Sequence, residues 1–145
     1  MMARVSGLPQ FKYHPSPLST GAIEDSDAVC DCCGRARGFI YRGPIYCVSR
    51  VEGVCPWCIA DGSAHLKWDA AFTDSAAIGG YGRWCEVPRE VWEEVAYRTP
   101  GLSTIQQARW YTHCGDAAEF LGVEEDRVRF RCRICGKRGS YLDPE

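Results

Sequence analysis

The sequence lacks any apolar run of about 18 residues, the length that a membrane-spanning helix needs, so no membrane segment is predicted. It also lacks an apolar leader core in its first residues, MMARVSGLPQFKYHPSP, and we therefore expect a cytoplasmic protein. A charge excess is missing too: the net charge of -2 argues against a broad electrostatic surface for nucleic acid. Only three histidines are present, which excludes an all-histidine catalytic metal site.

The sequence motifs of common enzyme classes are absent as well. It contains no nucleophile elbow, no phosphate-binding loop and no His-Glu-x-x-His helix. Four carboxylates are the nearest candidates for acid or base chemistry, namely Asp61, Asp69, Asp74 and Asp116. Solvated or turn-capping positions are the simpler expectation for all four. We therefore expect a non-enzymatic protein.

Cysteine is the abundant residue, with ten in the chain. Because the cytoplasm keeps thiols reduced, dense cysteine usage there indicates metal binding or thiol chemistry rather than disulfides. Six of the ten form three Cys-x-x-Cys pairs: Cys30 with Cys33, Cys55 with Cys58, and Cys132 with Cys135. That spacing is short enough for both sulfurs to bind one ion.

The first two pairs predict one zinc site. They are separated by the 21 residues 34–54, close to the roughly 15 to 20 residues usual between paired knuckles. The insert contains two β-rich runs, RGFIY and PIYCV, which predict a hairpin. The expected zinc-ribbon ligands are Cys30, Cys33, Cys55 and Cys58. The alternative is a redox dithiol at CPWC, but thioredoxin-like chemistry uses a βαβ unit, and none is predicted.

The third pair predicts a second zinc site. Cys114, in the stretch WYTHCGD, is the best upstream partner for Cys132 and Cys135. The fourth ligand is His113 or Cys85. His113 is adjacent to Cys114, and neighbouring side chains often diverge, which weakens that choice. Sites with four protein ligands are closed, whereas catalytic zinc keeps a position for water, so both zinc ions are expected to be structural.

Other metal-binding side chains have simpler interpretations. Cys32 lies between two ligands and either faces solvent or substitutes for Cys30. Cys47 lies in a β-rich run and is expected to be a small core residue. His65 is a further alternative for the fourth ligand of the second site, and His14 is interpreted as an arm residue.

We predict a single α+β domain over residues 1–145, with three parts. These are an extended N-terminal arm (1–27), a zinc-ribbon half (28–72), and a helical segment with a C-terminal zinc knuckle (85–145). Helices are expected at 59–72 with a break at Gly62, at 88–99, from Ser103 onward, and at 115–122. From 127 to 133 arginines alternate with apolar residues and cysteine, which predicts a half-buried strand.

The arginines of that strand form a basic stripe with Lys137 and Arg138. One interpretation is a zinc ribbon that binds nucleic acid through Arg127–Arg133. The others are an edge strand guarded by charge, or internal pairing with the acidic helix at 86–94. Trp84, Trp92 and Trp110 either pack in the core or line a groove for a partner.

Several motifs taken in order resemble the CbrC family of small bacterial proteins. They are LPQFKYHPSPLSTGAI, CDCCG, YRGPIY, CPWCIADGSA, RTPGL and WYTHCGD, and they run from Leu8 to about Gly136. The resemblance implies a cytoplasmic, zinc-binding bacterial protein linked to tolerance of a colicin-type toxin, with no established enzyme activity.

The sequence thus predicts an α+β fold with a zinc-ribbon-like β-hairpin, helices and a second C-terminal zinc knuckle. Two zinc ions are expected per chain. The expected function is a zinc-stabilised, non-enzymatic module that binds a protein partner, with a toxin domain as the partner that the resemblance implies. The alternatives are nucleic-acid binding, which we expect less, and a thiol redox or zinc-dependent enzyme.

Overall fold

The computed structural model describes residues 7–79, 85–104 and 108–142. This part of the chain contains four short α-helices, one 3₁₀ turn and seven strands, and the last five strands follow the last helix. The helices are α1 (Pro17–Thr20), α2 (Pro56–Ala60), α3 (Ser63–Trp68) and α4 (Arg89–Arg98). The strands are β1 (Ile23–Asp25), β2 (Phe39–Tyr41), β3 (Thr112–His113), β4 (Asp116–Ala117), β5 (Glu119–Glu124), β6 (Arg127–Arg131) and β7 (Arg138–Leu142).

The first half of the protein is built on the β1–β2 pair. These strands run antiparallel, with Ile23 opposite Tyr41. The predicted hairpin between RGFIY and PIYCV is therefore wrong. The second run turns away after Pro44, and its Tyr46 exchanges two backbone hydrogen bonds with Ala71 instead. A zinc-ribbon fold is not confirmed, whereas a small mixed structure of helices and antiparallel strands is.

The predicted helix at 59–72 forms as two short helices. Pro56 opens α2, where its missing N–H costs nothing and its fixed φ suits the first turn. The break falls at Gly62, as expected, because this residue has φ of +83° and begins α3. The chain leaves α3 through Asp69, which is also left-handed, with φ of +53°.

The predicted helix at 88–99 is confirmed. It runs from Arg89 to Arg98, with Pro88 at its N-cap and Thr99 at its C-cap. Its buried residues are Val95 and Ala96, and Trp92 packs against the same apolar cluster. This helix covers one side of the C-terminal half.

The two helices predicted between Ser103 and Gly122 are wrong. Gln106, the capping partner of Ser103, lies outside the described residues, and 108–113 contains no helix. The segment 115–122 forms strands because left-handed residues Cys114 and Gly115 turn the chain back from β3 into β4. Strand β5 then pairs along the whole of β6. The ladder of hydrogen bonds with the arginine strand thus outweighs the helical preference of GDAAEFLG.

The predicted alternating strand is confirmed as β6, the centre of a β5–β6–β7 antiparallel sheet. Val128 and Phe130 are fully buried, whereas the arginines that alternate with them along β6 point outward. Gly139 of β7 lies against Tyr111, and a Cβ there would be 2.7 Å from the ring. The sheet therefore has one apolar face on the core and one charged face.

The buried apolar residues form two clusters, one in each half of the chain. The first surrounds Cys30, Cys55 and Cys58, and the second surrounds Trp110 and Phe130. The N-terminal arm joins them: Phe11 belongs to the first cluster and Tyr13 to the second. None of the helices in the described ranges has the length and apolarity that a bilayer crossing requires.

Candidate metal centres

The structure brings the first four predicted cysteines together. The sulfurs of Cys30, Cys33, Cys55 and Cys58 all lie within 4.8 Å of one another. Two of these separations, Cys30 to Cys58 and Cys33 to Cys55, are 3.9 Å. A tetrahedral zinc ion with Zn–S bonds of 2.3 Å spaces its sulfurs about 3.8 Å apart. The cluster therefore could hold a metal ion, and its dimensions fit zinc.

Backbone hydrogen bonds position the sulfur of Cys30 in this cluster. The amides of Cys32 and Cys55 both donate to Cys30 Sγ, each at 3.3 Å. The Cys30–Cys33 turn is closed by the Gly34 amide, which donates to the Cys30 carbonyl at 2.8 Å. Amide donors around a sulfur stabilise the thiolate form that a metal requires.

Burial opposes ionisation of two other thiols of the same cluster. It raises the pKa of the Cys55 thiol to about 11 and raises that of Cys58 further. Both thiols are therefore protonated at neutral pH without a metal. A divalent ion would have to displace those protons, so metal binding here releases protons and weakens as pH falls.

The second predicted cluster also assembles. One donor atom each from His113, Cys114, Cys132 and Cys135 lies within 4.8 Å of the others. His113 Nδ1 is 3.2 Å from Cys114 Sγ and 3.5 Å from Cys135 Sγ. A tetrahedral zinc ion would place a nitrogen and a sulfur ligand about 3.6 Å apart. This cluster likewise could hold a metal ion.

The left-handed turn at Cys114 explains why adjacent residues converge. Its φ of +58° rotates the chain so that its sulfur points to the same side as the imidazole of His113. Sequence reasoning had weakened His113 because neighbouring side chains usually diverge. Cys85, the competing choice, is not part of this group. Its backbone carbonyl instead accepts a hydrogen bond from Thr112.

The two clusters differ in exposure. Three of the four residues of the first are buried, whereas only Cys132 is buried in the second. Burial works against ionisation of Cys132, but backbone hydrogen bonds from Cys135 and Ile134 outweigh it and lower the pKa of the thiol to about 6. One sulfur of the second cluster is therefore already anionic at neutral pH.

The remaining candidate ligands lie elsewhere. His65 bonds to the Ala70 carbonyl at 2.9 Å and stacks on Tyr97, so it is not near the second cluster. Cys47 was expected in a core strand, and that prediction is wrong: it is partly exposed in an irregular segment and bonds to the Ser49 carbonyl. Cys32 is partly exposed beside the first cluster.

The four carboxylates have structural positions. Asp61 accepts from the Ser63 amide at 2.8 Å, and Asp74 caps a 3₁₀ turn through the Ala76 amide at 3.0 Å. Asp69 ends α3. Asp116 accepts hydrogen bonds from the Tyr13 hydroxyl and from Arg133.

The arginine strand pairs with acids, though not with those of the helix. Arg129 pairs with Glu124, and Arg131 with Glu119, both on β5. In the helix, Glu93 and Glu94 pair with arginines of their own helix. Of the three tryptophans, Trp110 is fully buried, Trp92 is partly buried, and Trp84 lies outside the described residues.

Sequence reasoning missed a buried polar group at His14. Its ring is fully buried, with Nδ1 2.8 Å from the Pro100 carbonyl and Nε2 2.7 Å from the Thr20 hydroxyl. Because the carbonyl only accepts, Nδ1 carries the proton and Nε2 accepts from Thr20. The apolar residues of the arm were the signal available in the sequence, because they indicate that the arm packs against the domain and buries His14 with it.

Comparison with known proteins gives the family. The model of UPF0167, described as an uncharacterised protein family, matches residues 8–129. UPF0167 protein Mb2317 of Mycobacterium bovis and MT2352 of Mycobacterium tuberculosis are each 47% identical over 119 residues. UPF0167 protein PA1536 of Pseudomonas aeruginosa is 46% identical over 119 residues. No solved structure matches the chain.

These alignments cover 79% of this chain but only 60% of the mycobacterial proteins and 63% of the Pseudomonas protein. The assignment to the CbrC family is corrected, because the family whose model matches is UPF0167. The names of these relatives carry no link to colicin tolerance, so that expectation has no support. The chain belongs to UPF0167, an uncharacterised protein family.

Proposed function

We propose that this chain is a non-enzymatic protein-binding module whose fold is held by two structural zinc ions. The observation that carries the zinc assignment is the meeting of two four-donor groups, each within 4.8 Å, in which pairs of donors from separate segments of the chain come together. Thiolate and imidazole are ligands that zinc binds well, and the 3.9 Å sulfur–sulfur separations of the first group are close to the about 3.8 Å of a tetrahedral zinc site. Cys30, Cys33, Cys55 and Cys58 would hold one ion, and His113, Cys114, Cys132 and Cys135 the other.

Four protein ligands complete a tetrahedral shell and leave no position for a reacting water. This geometry favours a structural role over a hydrolytic one. Structural zinc contributes about 10 to 16 kcal/mol of apparent binding free energy in small modules, against a total domain stability of about 5 to 15 kcal/mol. Either ion could therefore decide whether its half of the chain folds.

Exposed apolar side chains near the first cluster support protein binding. Val29, which precedes Cys30, is 57% exposed, and Leu66 of α3 is 83% exposed. Lys67 of the same helix reaches the carbonyls of the Cys30–Cys33 turn. A second feature is a surface groove of about 680 Å³ along the arm, bordered by Leu8, Pro15 and Leu18. Apolar surface at such places is typical of contacts with partners.

Native mass spectrometry with elemental analysis tests the proposal. We expect two zinc ions per chain, lost together with the near-ultraviolet circular dichroism signal when a strong chelator is added. A chain that keeps its fold and its spectrum without metal would contradict the structural role. Steady turnover of a small substrate that depends on the bound zinc would replace the non-enzymatic interpretation by the enzymatic one.

A further inference from the structure

The outward face of strands β6 and β7 carries a concentrated set of arginines. Arg127, Arg129 and Arg131 follow one another at every second position of β6, so they share this face. The register places Arg138 of β7 directly opposite Arg131. Ser140, which is uncharged, lies opposite Arg129.

Acids neutralise only part of this face. Glu124 pairs with Arg129, and Glu119 with Arg131. Within the described ranges, no ion pair joins Arg127 or Arg138 to an acid; Glu124 lies opposite Arg127 in the strand register, and the Arg127 guanidinium donates to the Ser140 hydroxyl. Arg131 lies directly opposite Arg138, but Glu119 already pairs with Arg131, so Arg138 is the charge of this pair that a bound anion would neutralise.

A cleft of about 410 Å³ adjoins these arginines. It is lined by Arg129 and Arg138, by Ser19 and Thr20 of α1, and by residues 121–124 of β5, which include Glu124, the ion-pair partner of Arg129. Gly122 lies opposite Arg129 in the strand register, so that position of β5 contributes no side chain beside Arg129. The cleft is large enough for a carboxylate side chain, which arginine binds through two parallel hydrogen bonds.

We propose that this face binds an acidic, extended segment of a partner protein. The inference rests on the proposed protein-binding function and names its surface and the chemistry of the partner. Alternate carboxylates of an extended segment recur about every 6.6 Å, the same repeat as the arginines of β6. Leu142, which is 54% exposed and lies opposite Arg127 on the same face, offers an apolar contact at one end of the arginine row.

A peptide fits this face better than a nucleic acid does. The outward side chains of β6 and β7 are arginines, Ser140 and Leu142, with no aromatic ring on which a base could stack.

The test measures binding by fluorescence anisotropy with the zinc-loaded full chain. The probes are a labelled ten-residue peptide that alternates Glu and Val, its Gln-Val counterpart, and a single-stranded RNA of the same length. The variant combines Arg127→Gln and Arg138→Gln, the two arginines of this face for which the described ranges show no ion pair. The matched control combines Arg35→Gln and Arg50→Gln, which are exposed in the other half of the chain.

We expect the acidic peptide to bind, the Gln-Val peptide to bind at least tenfold more weakly, and added salt to weaken the acidic peptide. The double variant should lose at least tenfold in affinity, and the control should change less than twofold. Equal binding of both peptides, an unchanged double variant, or tighter binding of RNA would each overturn the inference. Zinc content measured on the same samples separates this result from the proposed zinc sites: two ions with no peptide binding would reject the surface alone.

Discussion

The Tyr13 hydroxyl donates a 2.7 Å hydrogen bond to Asp116 Oδ1, across 103 residues of sequence. Asp116 also binds Arg133, whose guanidinium lies 5.4 Å from the centre of the Tyr13 ring. Arg133 stands between the candidate ligands Cys132 and Cys135. The second candidate metal centre and the N-terminal arm are therefore held by the same carboxylate.

Removal of the Tyr13 hydroxyl should loosen the arm. Burial, reinforced by the bond to Asp116, raises the pKa of Tyr13, so the hydroxyl remains a donor throughout the ordinary pH range. Tyr13→Phe should lower the free energy of unfolding by about 1 to 2 kcal/mol, since the acceptor is charged. Urea titration gives the stability, and hydrogen exchange of residues 8–20 shows where protection is lost.

Tyr46→Phe is the control for this change, because that side chain is 42% exposed and should alter stability by less than about 0.5 kcal/mol. Equal effects of the two substitutions would show that the Asp116 bond contributes nothing specific to the arm.

The two clusters should respond differently to loss of a ligand. Cys58 is 3% exposed within the first apolar cluster, whereas Cys135 is exposed at the surface. Cys58→Ser should remove one zinc ion and unfold the first half, because it leaves buried thiols without an ion. Cys135→Ser should remove the other ion while the first remains bound. Zinc counting by native mass spectrometry and circular dichroism give the two readouts.

Cys47→Ser serves as the control in this set, because Cys47 lies outside both clusters. It should keep two zinc ions and the wild-type spectrum. A loss of zinc from this variant equal to that of Cys58→Ser would contradict the ligand assignment.

Stability should fall in mildly acidic solution because of His14. Burial lowers the pKa of its imidazole from 6.5 to about 4, against the opposing effect of the Pro100 carbonyl. Between pH 6.5 and 4 the unfolded chain binds a proton that the folded chain does not, so stability decreases as pH falls through this window. This difference in proton binding contributes about 3 kcal/mol to the free energy of unfolding. The contribution is fully present above pH 6.5 and is lost as the pH falls towards 4.

The comparison with His14→Gln isolates this effect from other titrating groups. The glutamine can still donate to the Pro100 carbonyl but does not titrate. We expect the variant to be less stable than the wild type at pH 8 and the difference to shrink towards pH 4. Parallel pH profiles of unfolding free energy would contradict a neutral, buried His14.

Gly101 is needed because another backbone approaches it. A Cβ at this position would lie 2.0 Å from the Phe72 carbonyl oxygen and 3.0 Å from the Tyr41 hydroxyl. The Gly101 amide also donates to that hydroxyl at 3.1 Å. Gly101→Ala should therefore destabilise the protein by about 2 to 3 kcal/mol, since backbone atoms must move.

Gly53→Ala is the matched control for Gly101→Ala. Its added Cβ would be 3.6 Å from Ile40, an ordinary contact, and we expect little change in the urea midpoint. Similar urea midpoints for the two variants would show that the backbone around Gly101 can move far enough to accept a methyl group.

The sequence was most informative where one local pattern determines the structure. Cys-x-x-Cys pairs, the break at Gly62, the helix after Pro88 and the alternating strand at β6 all depend on residues close together in the chain. The sequence-based predictions of secondary structure were wrong where a strand pairs with a segment that is distant in the chain or not its expected neighbour. RGFIY pairs with Ile23–Asp25 rather than with its neighbour, and GDAAEFLG became strands because β6 supplied a partner. Propensity alone does not contain those contacts.

The second cluster shows the same limit at the scale of one residue. The choice between His113 and Cys85 depended on the backbone angle at Cys114, where φ is +58°. Non-glycine residues seldom adopt that conformation, so spacing rules had no reason to assume it.

Phe11 and Tyr13, two residues apart, are buried in different apolar clusters, and this arrangement bears on how the chain folds during translation. The arm leaves the ribosome before the rest of this domain, and Phe11 can dock as soon as the first half has emerged. Tyr13 must wait for Asp116 and for strand β5, whose Phe120 amide donates to its carbonyl. Closure of the second half is thus a late event, and a nascent chain stalled before β5 would leave Tyr13 and His14 in water.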